Sequence, residues 1–198
     1  MIFVRATRSR GVDDPNLVLD GPWDSENALG SRIRPHTDIR EIDNGLTPLW
    51  YDGVDPKKIV LGLAYYGRTY TAASADCAIM GCTFSGPGKA YGCTNFGGVL
   101  SNMGMIIWHC GCADKILIVQ TEIRRIIKET GAKPTLLSGA MVKELVWDKT
   151  QWVGYDDEET IALKTDFAKK RFVWWSNVFT CYADSGIQVP GRYHDLVH

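Results

Sequence analysis

The chain has 198 residues, 22 lysines and arginines against 23 aspartates and glutamates, a formal net charge of −1, and 45% hydrophobic residues. Length and composition suit one core-forming domain, or a piece of a larger one, and exclude a disordered chain. Balanced charge speaks against a phosphate-binding surface, hence against nucleic acid, and no run of about 20 apolar residues is present to span a membrane.

Residues 1–16 are an irregular lead-in whose apolar run is too short for a signal peptide. Residues 16–19 form a short apolar run of strand length, closed by the turn signal Asp20-Gly21-Pro22. A polar loop over 25–36 follows. A helical pattern then starts at Thr37, with Ile39, Ile42, Leu46, Leu49 and Trp50 on one face. Thr37 is its expected N-cap, Gly45 and Pro48 predict a kink or break, and Gly53 to Pro56 ends it. Ile59 to Ala64 is a continuous apolar run, the mark of a strand buried on both faces in a helix-covered parallel sheet.

Tyr65 to Tyr70 follows directly, and residues 71–98 are glycine-rich loop and short-strand material. Residues 103–112 fit neither neighbour in character. Gln120 to Thr130 predicts a helix, with Ile123, Ile126 and Ile127 as its apolar stripe, Gly131 at its end and Pro134 just beyond. Val142 to Tyr155 reads as strand, polar turn, strand. Asp156 and Asp157 are expected to cap a last helix, with Glu158 and Glu159 in its first turn and Lys169, Lys170 and Arg171 in its last. Phe172 to Trp175 is a further buried strand. Alternating buried strands and amphipathic helices predict an α/β parallel arrangement, with too few strands to close a barrel.

Six cysteines are present. Cys77, Cys82 and Cys93 lie in the small-residue stretch, where a disulfide-stapled loop and an oxidising compartment are the expected reading. The C-x4-C and C-x-C spacings do not make a zinc site. His36, His109, His194 and His198 fit no triad or metal spacing. Asp156 and Asp157 could be paired carboxylates for acid–base chemistry, but capping explains them fully.

Tyr65, Tyr66, Arg68 and Tyr70 lie just past a buried strand, where α/β folds place their sites. Aromatics with one arginine suit a neutral polar ligand such as a sugar; the alternative is that two tyrosines are packing and Arg68 pairs with an acid. Trp23 and Asp24, after another strand end, add to the sugar reading.

Several segments together resemble a fungal chitinase of glycoside hydrolase family 18. Leu46 to Tyr51 with Gly53 to Tyr70 is similar to that family's seventh barrel strand and the helix before it. Cys77, then Gly81 to Lys89, Gly92 to Thr94 and Gly98 to Ser101 resemble the small domain inserted there. Glu122 to Pro134 and Val146 to Asp157 resemble the rest of the insertion and its return. The resemblance covers about residues 20–171 and is taken as the C-terminal half only.

The fold it implies is α/β, a partial TIM (β/α)8 barrel of about strands 6–8 with a small α+β insertion domain. The implied division is 1–70 partial barrel, 71–155 insertion domain interrupted by 102–121, and 156–198 last helix and strand with an irregular tail. The implied activity is hydrolysis of β-1,4-N-acetylglucosamine linkages in chitin, outside the cell, with no cofactor and no metal. The family's catalytic Glu comes from a D-x-x-D-x-D-x-E run, and no such run occurs in these 198 residues; no catalytic residue is therefore assigned.

Substrate-binding residues implied by the resemblance are Trp23, Asp24, Tyr66 and Arg68, the partners being chitin or N-acetylglucosamine oligomers. The family's sixth-strand Tyr-Asp is replaced by Leu19-Asp20, and Phe179 stands near the position of its eighth-strand Trp. Residues 102–121 and 176–198 match nothing in the family and read as intron-like and altered sequence. The expectation is a chitinase-family chain inactive by itself; the alternatives are a non-catalytic chitin-binding protein or a non-functional gene fragment.

Overall fold

The computed structural model describes residues 30–92, 94–95, 97–102, 121–171 and 174–178. The first helix, α1 (Ile39–Tyr51), is capped by Asp38, one residue after the expected Thr37, and the Asp38 side chain accepts from the Arg40 amide. It runs unbroken through Gly45 and Pro48. Ile39, Ile42 and Leu46 bury one face against Ile59, Leu61 and Leu63, so tertiary burial overrides the local breakers. Gly53, at φ 67°, turns the chain out of the helix.

β1 (Val60–Ala64) and β8 (Trp174–Val178) form a parallel pair, Val60 opposite Trp174 and Ala64 opposite Val178. Ala168 of α3 (Glu158–Lys170) joins the apolar cluster beneath them. All remaining described strands belong to a second sheet, antiparallel throughout. β2 (Tyr66–Ala72) is flanked on one side by β7 (Gln151–Tyr155). Its other side is shared between β3 (Phe84–Pro87) and β4 (Val99–Ser101). β6 (Val142–Trp147) and β5 (Thr135–Leu137) continue the order beyond β7.

The partial TIM barrel is thus corrected. Barrel closure needs each strand to hydrogen-bond parallel neighbours on both edges. Among the described strands β1 pairs with β8 alone, and the six-stranded sheet ends at β3 and β5 without curling back. The fold is α/β with open sheets. Tyr65 to Tyr70, given no element by the sequence, lies largely in Tyr66 to Ala72, the strand through which the antiparallel sheet is built.

That sheet buries both faces. Leu100, Leu145, Val153 and Tyr155 pack under Ile123 and Ile126 of α2 (Glu122–Thr130), a helix closed by Gly131 at φ 68°. On the opposite face Tyr70, Ala72 and Trp152 meet Ile33, Ala78 and Cys82. The expected disulfide-stapled loop is present as Cys77–Cys82, with Cα atoms 5.6 Å apart. Asp157 caps α3 in a capping box with Thr160, whereas Asp156 does not cap and is buried. The strand expected over 16–19 and the segment 103–120 lie outside the described residues.

Candidate functional site

Side chains alternate across a strand, so Tyr66, Arg68, Tyr70 and Ala72 share one face of β2, while Gly67 and Thr69 take the other. A Cβ at Gly67 would stand 2.5 Å from Val153 and 3.0 Å from Ile123, and the absent side chain lets α2 close on that face. Tyr70 and Ala72 are core on the first face. Tyr66 and Arg68, at the other end of the strand, are only partly buried and lie next to the carboxyl end of β1.

The structure brings these two together. The Arg68 guanidinium carbon lies 5.7 Å from the Tyr66 ring centroid, a cation–π contact. A third group, unassigned in the sequence, completes the cluster. The His36 ring stacks on Tyr66 at 4.9 Å between centroids and 25° between planes. Its neighbour Pro35 sits over Gly154, where a Cβ would come within 3.2 Å of the proline Cβ and 2.5 Å of the Trp152 ring. Gly154 is also the register partner of Arg68, so the missing side chain on β7 makes room for the 33–36 segment beside the arginine. Trp23 and Asp24 lie outside the described residues.

Behind the cluster is a buried polar group. Lys164 of α3 donates to Asp156 Oδ1 at 2.5 Å, the two side chains being 1% and 0% exposed. Asn102, also buried, donates its side-chain amide to the Asp156 carbonyl and its backbone amide to the Tyr65 carbonyl at 3.0 Å. These contacts tie the β1–β2 junction to the start of α3. Burial pulls the Lys164 amine below its ordinary value, and Asp156 opposes that shift.

Burial also holds His36 well below the ordinary imidazole value of 6.5, helped by the Arg68 and Lys164 cations. An imidazole kept neutral in the fold contributes stability that is fully present above about pH 6.5 and is lost as pH falls through that value toward its lower folded one. Between about pH 7 and pH 5 the native chain is therefore expected to lose more stability than His36→Phe. The difference is at most about 1.4 kcal/mol per pH unit. Urea unfolding of both at each pH checks this; equal losses would place the imidazole in solvent. Among the described residues no group of three His, Cys, Asp or Glu is placed to hold a metal ion.

Compared with known proteins, the chain matches the model of a family described as "Glycosyl hydrolases family 18" over residues 13–176. That span is nearly the whole chain. It corrects the expectation of a likeness to the C-terminal half only, because the matched residues begin upstream of Asp20 and run through Ser176. Human chitinase-3-like protein 2 is 32% identical over 119 residues, which are 60% of this chain and 25% of that protein. The secreted chitinase LysM12 of Penicillium expansum is 26% identical over 162 residues, 74% of this chain and 10% of that one. Among solved structures, human YKL-39, described as a pseudo-chitinase with retained chitooligosaccharide binding properties, superposes with a TM-score of 0.56 at 28% identity. The likeness covers 70% of this chain and 32% of YKL-39. The chain spans a third or less of the length of these relatives.

Proposed function

This chain belongs to glycosyl hydrolase family 18, and on that footing we propose that it is a chitinase-like protein that binds chitooligosaccharides without hydrolysing them. The observation that carries the proposal is the Tyr66–Arg68 pair, partly exposed on one face of β2. A neutral, polyhydroxylated sugar with apolar ring faces takes hydrogen bonds from a guanidinium and packing from an aromatic ring. The likeness to YKL-39, whose description combines lost catalysis with retained binding, supports the same reading.

Hydrolysis of a glycosidic bond requires a carboxylic acid to protonate the leaving oxygen. No D-x-x-D-x-D-x-E run occurs in the chain, and the two adjacent acids that could replace it are otherwise engaged. Asp157 holds the start of α3 and Asp156 is locked to Lys164. No residue is therefore assigned as the acid. An extracellular site of action is part of the proposal: the Cys77–Cys82 bond suits an oxidising compartment, and one relative is named as secreted.

Titration with N-acetylglucosamine tetramer is expected to give saturable binding that Arg68→Ala weakens by about 3- to 10-fold, the equivalent of one hydrogen-bonding partner lost to a neutral ligand. Incubation with the tetramer is expected to release no shorter oligomer. Equal affinity of the variant, or turnover by chitinase-free protein, would overturn the proposal.

A further inference from the structure

We infer that His36 is a positioning residue of the sugar-contact face, backing Tyr66 from a strap, residues 31–36, that the Cys77–Cys82 loop clips to the sheet. The inference rests on the chitooligosaccharide reading of that face and adds to it how the face is held.

The strap lies against the sheet, and its middle is fully buried at Ile33. Its backbone is bound to the disulfide loop. The Ile33 amide donates to the Cys82 carbonyl at 2.8 Å, Gly81 donates to Ile33 at 2.9 Å, and Phe84 donates to Ser31 at 3.1 Å. Arg32 Nη1 adds a bond to the Gly81 carbonyl at 3.0 Å. The loop is in turn fixed to the sheet through one carboxylate. Glu144 Oε2 accepts from the Met80 amide at 3.2 Å and from Trp152 Nε1 at 2.9 Å. The disulfide closes Cys77 to Cys82, five positions apart, and so fixes the carbonyls and amides that the strap uses. From Ile33 the chain needs only Arg34 and Pro35, the latter seated on Gly154, to bring the imidazole onto the Tyr66 ring.

The stacking has a consequence for recognition. One face of Tyr66 is covered by His36, and the Arg68 guanidinium stands over the ring, so a sugar meets the phenol by its edge or its hydroxyl. A neutral imidazole suits this place, because a charged one would stand beside Arg68. The clip is open to chemistry at one end, since Cys77 is exposed while Cys82 is buried. An external dithiol can attack there. Two protein thiols form, and the reagent leaves as its own disulfide.

The test uses the full chain and N-acetylglucosamine tetramer. His36→Ala is expected to bind about 3- to 10-fold more weakly than the native chain, the scale of one lost aromatic pair, and His36→Phe to return within about 2-fold of native. The Cys77→Ser/Cys82→Ser pair is expected to weaken binding like His36→Ala and to speed amide exchange at Ile33 while the β7 amides stay protected. If the double variant does not fold, Arg32→Ala, which keeps the disulfide and the core, is expected to speed Ile33 exchange by itself. Native affinity in His36→Ala, failure of phenylalanine to restore it, or unchanged Ile33 exchange in the folded clip variants would overturn the inference. Absence of binding by the native chain would instead overturn the chitooligosaccharide reading. The placement of His36 is then decided by the Tyr66 ring proton signals, which move in His36→Ala if the rings stack and stay put if they do not.

Discussion

Asp156→Ala is expected to lower the unfolding free energy by about 3–5 kcal/mol, the cost of leaving one member of a buried ion pair uncompensated. Lys164 is 1% exposed, and Asp156 is its ion-pair partner among the described residues. Without Asp156 the buried amine must either stay charged without its hydrogen-bonded counter-ion or give up its proton. The paired substitution separates this from loss of packing. Asp156→Ala with Lys164→Met removes both charges, and swaps of this kind are often neutral or better, so the double variant should regain most of the loss. Urea midpoints at constant m-value measure both. A loss below about 1 kcal/mol in the single variant would mean that the pair is solvated.

Trp152→Ala is expected to cost a comparable amount, about 3–5 kcal/mol. The indole is 0% exposed, stands 5.9 Å from the Tyr70 ring between centroids, and fills the space above Gly154. Its Nε1 also donates to Glu144, so truncation leaves a cavity and takes one of the donors from a buried carboxylate. Trp152→Phe keeps most of the packing and loses the donor, and is expected to cost about 1–3 kcal/mol. If phenylalanine cost as much as alanine, the hydrogen bond rather than the cavity would dominate.

The local elements are written in the chain because local rules decide them. Ile123, Ile126 and Ile127 mark α2 by spacing, Gly131 marks its end, and the β6–β7 hairpin stands out between Val142 and Tyr155. The sheet is not written there. Val60 to Ala64 has the apolar run of a strand in a parallel barrel, but which strands pair with it depends on residues more than a hundred positions away, and the pairing is with β8. Tyr66 to Tyr70 carries no clear strand signal because tyrosines and an arginine hide its period-two burial.

The same distinction governs the site. Tyr66 and Arg68 are two apart and share a face in any strand, so their pairing is legible. His36 is thirty positions upstream in a polar segment and becomes a neighbour only after the strap is clipped across the sheet. Asp156 reads as a cap beside Asp157, because one cap needs only one acid and sequence does not say which. A clue was present on α3, where Lys164 falls in the buried stripe of Thr160 and Ala168. A lysine in that row requires an acid facing it.

The most direct measurement is chemical-shift mapping of the isotope-labelled chain during titration with N-acetylglucosamine tetramer. The expected result is a saturable set of shifts centred on the amides of Tyr66, Gly67 and Arg68 and extending to His36, with the tetramer intact at the end. Shifts confined to other parts of the described fold, no shifts at any tetramer concentration, or signals of shorter oligomers growing with time would contradict a non-catalytic sugar-binding face on β2.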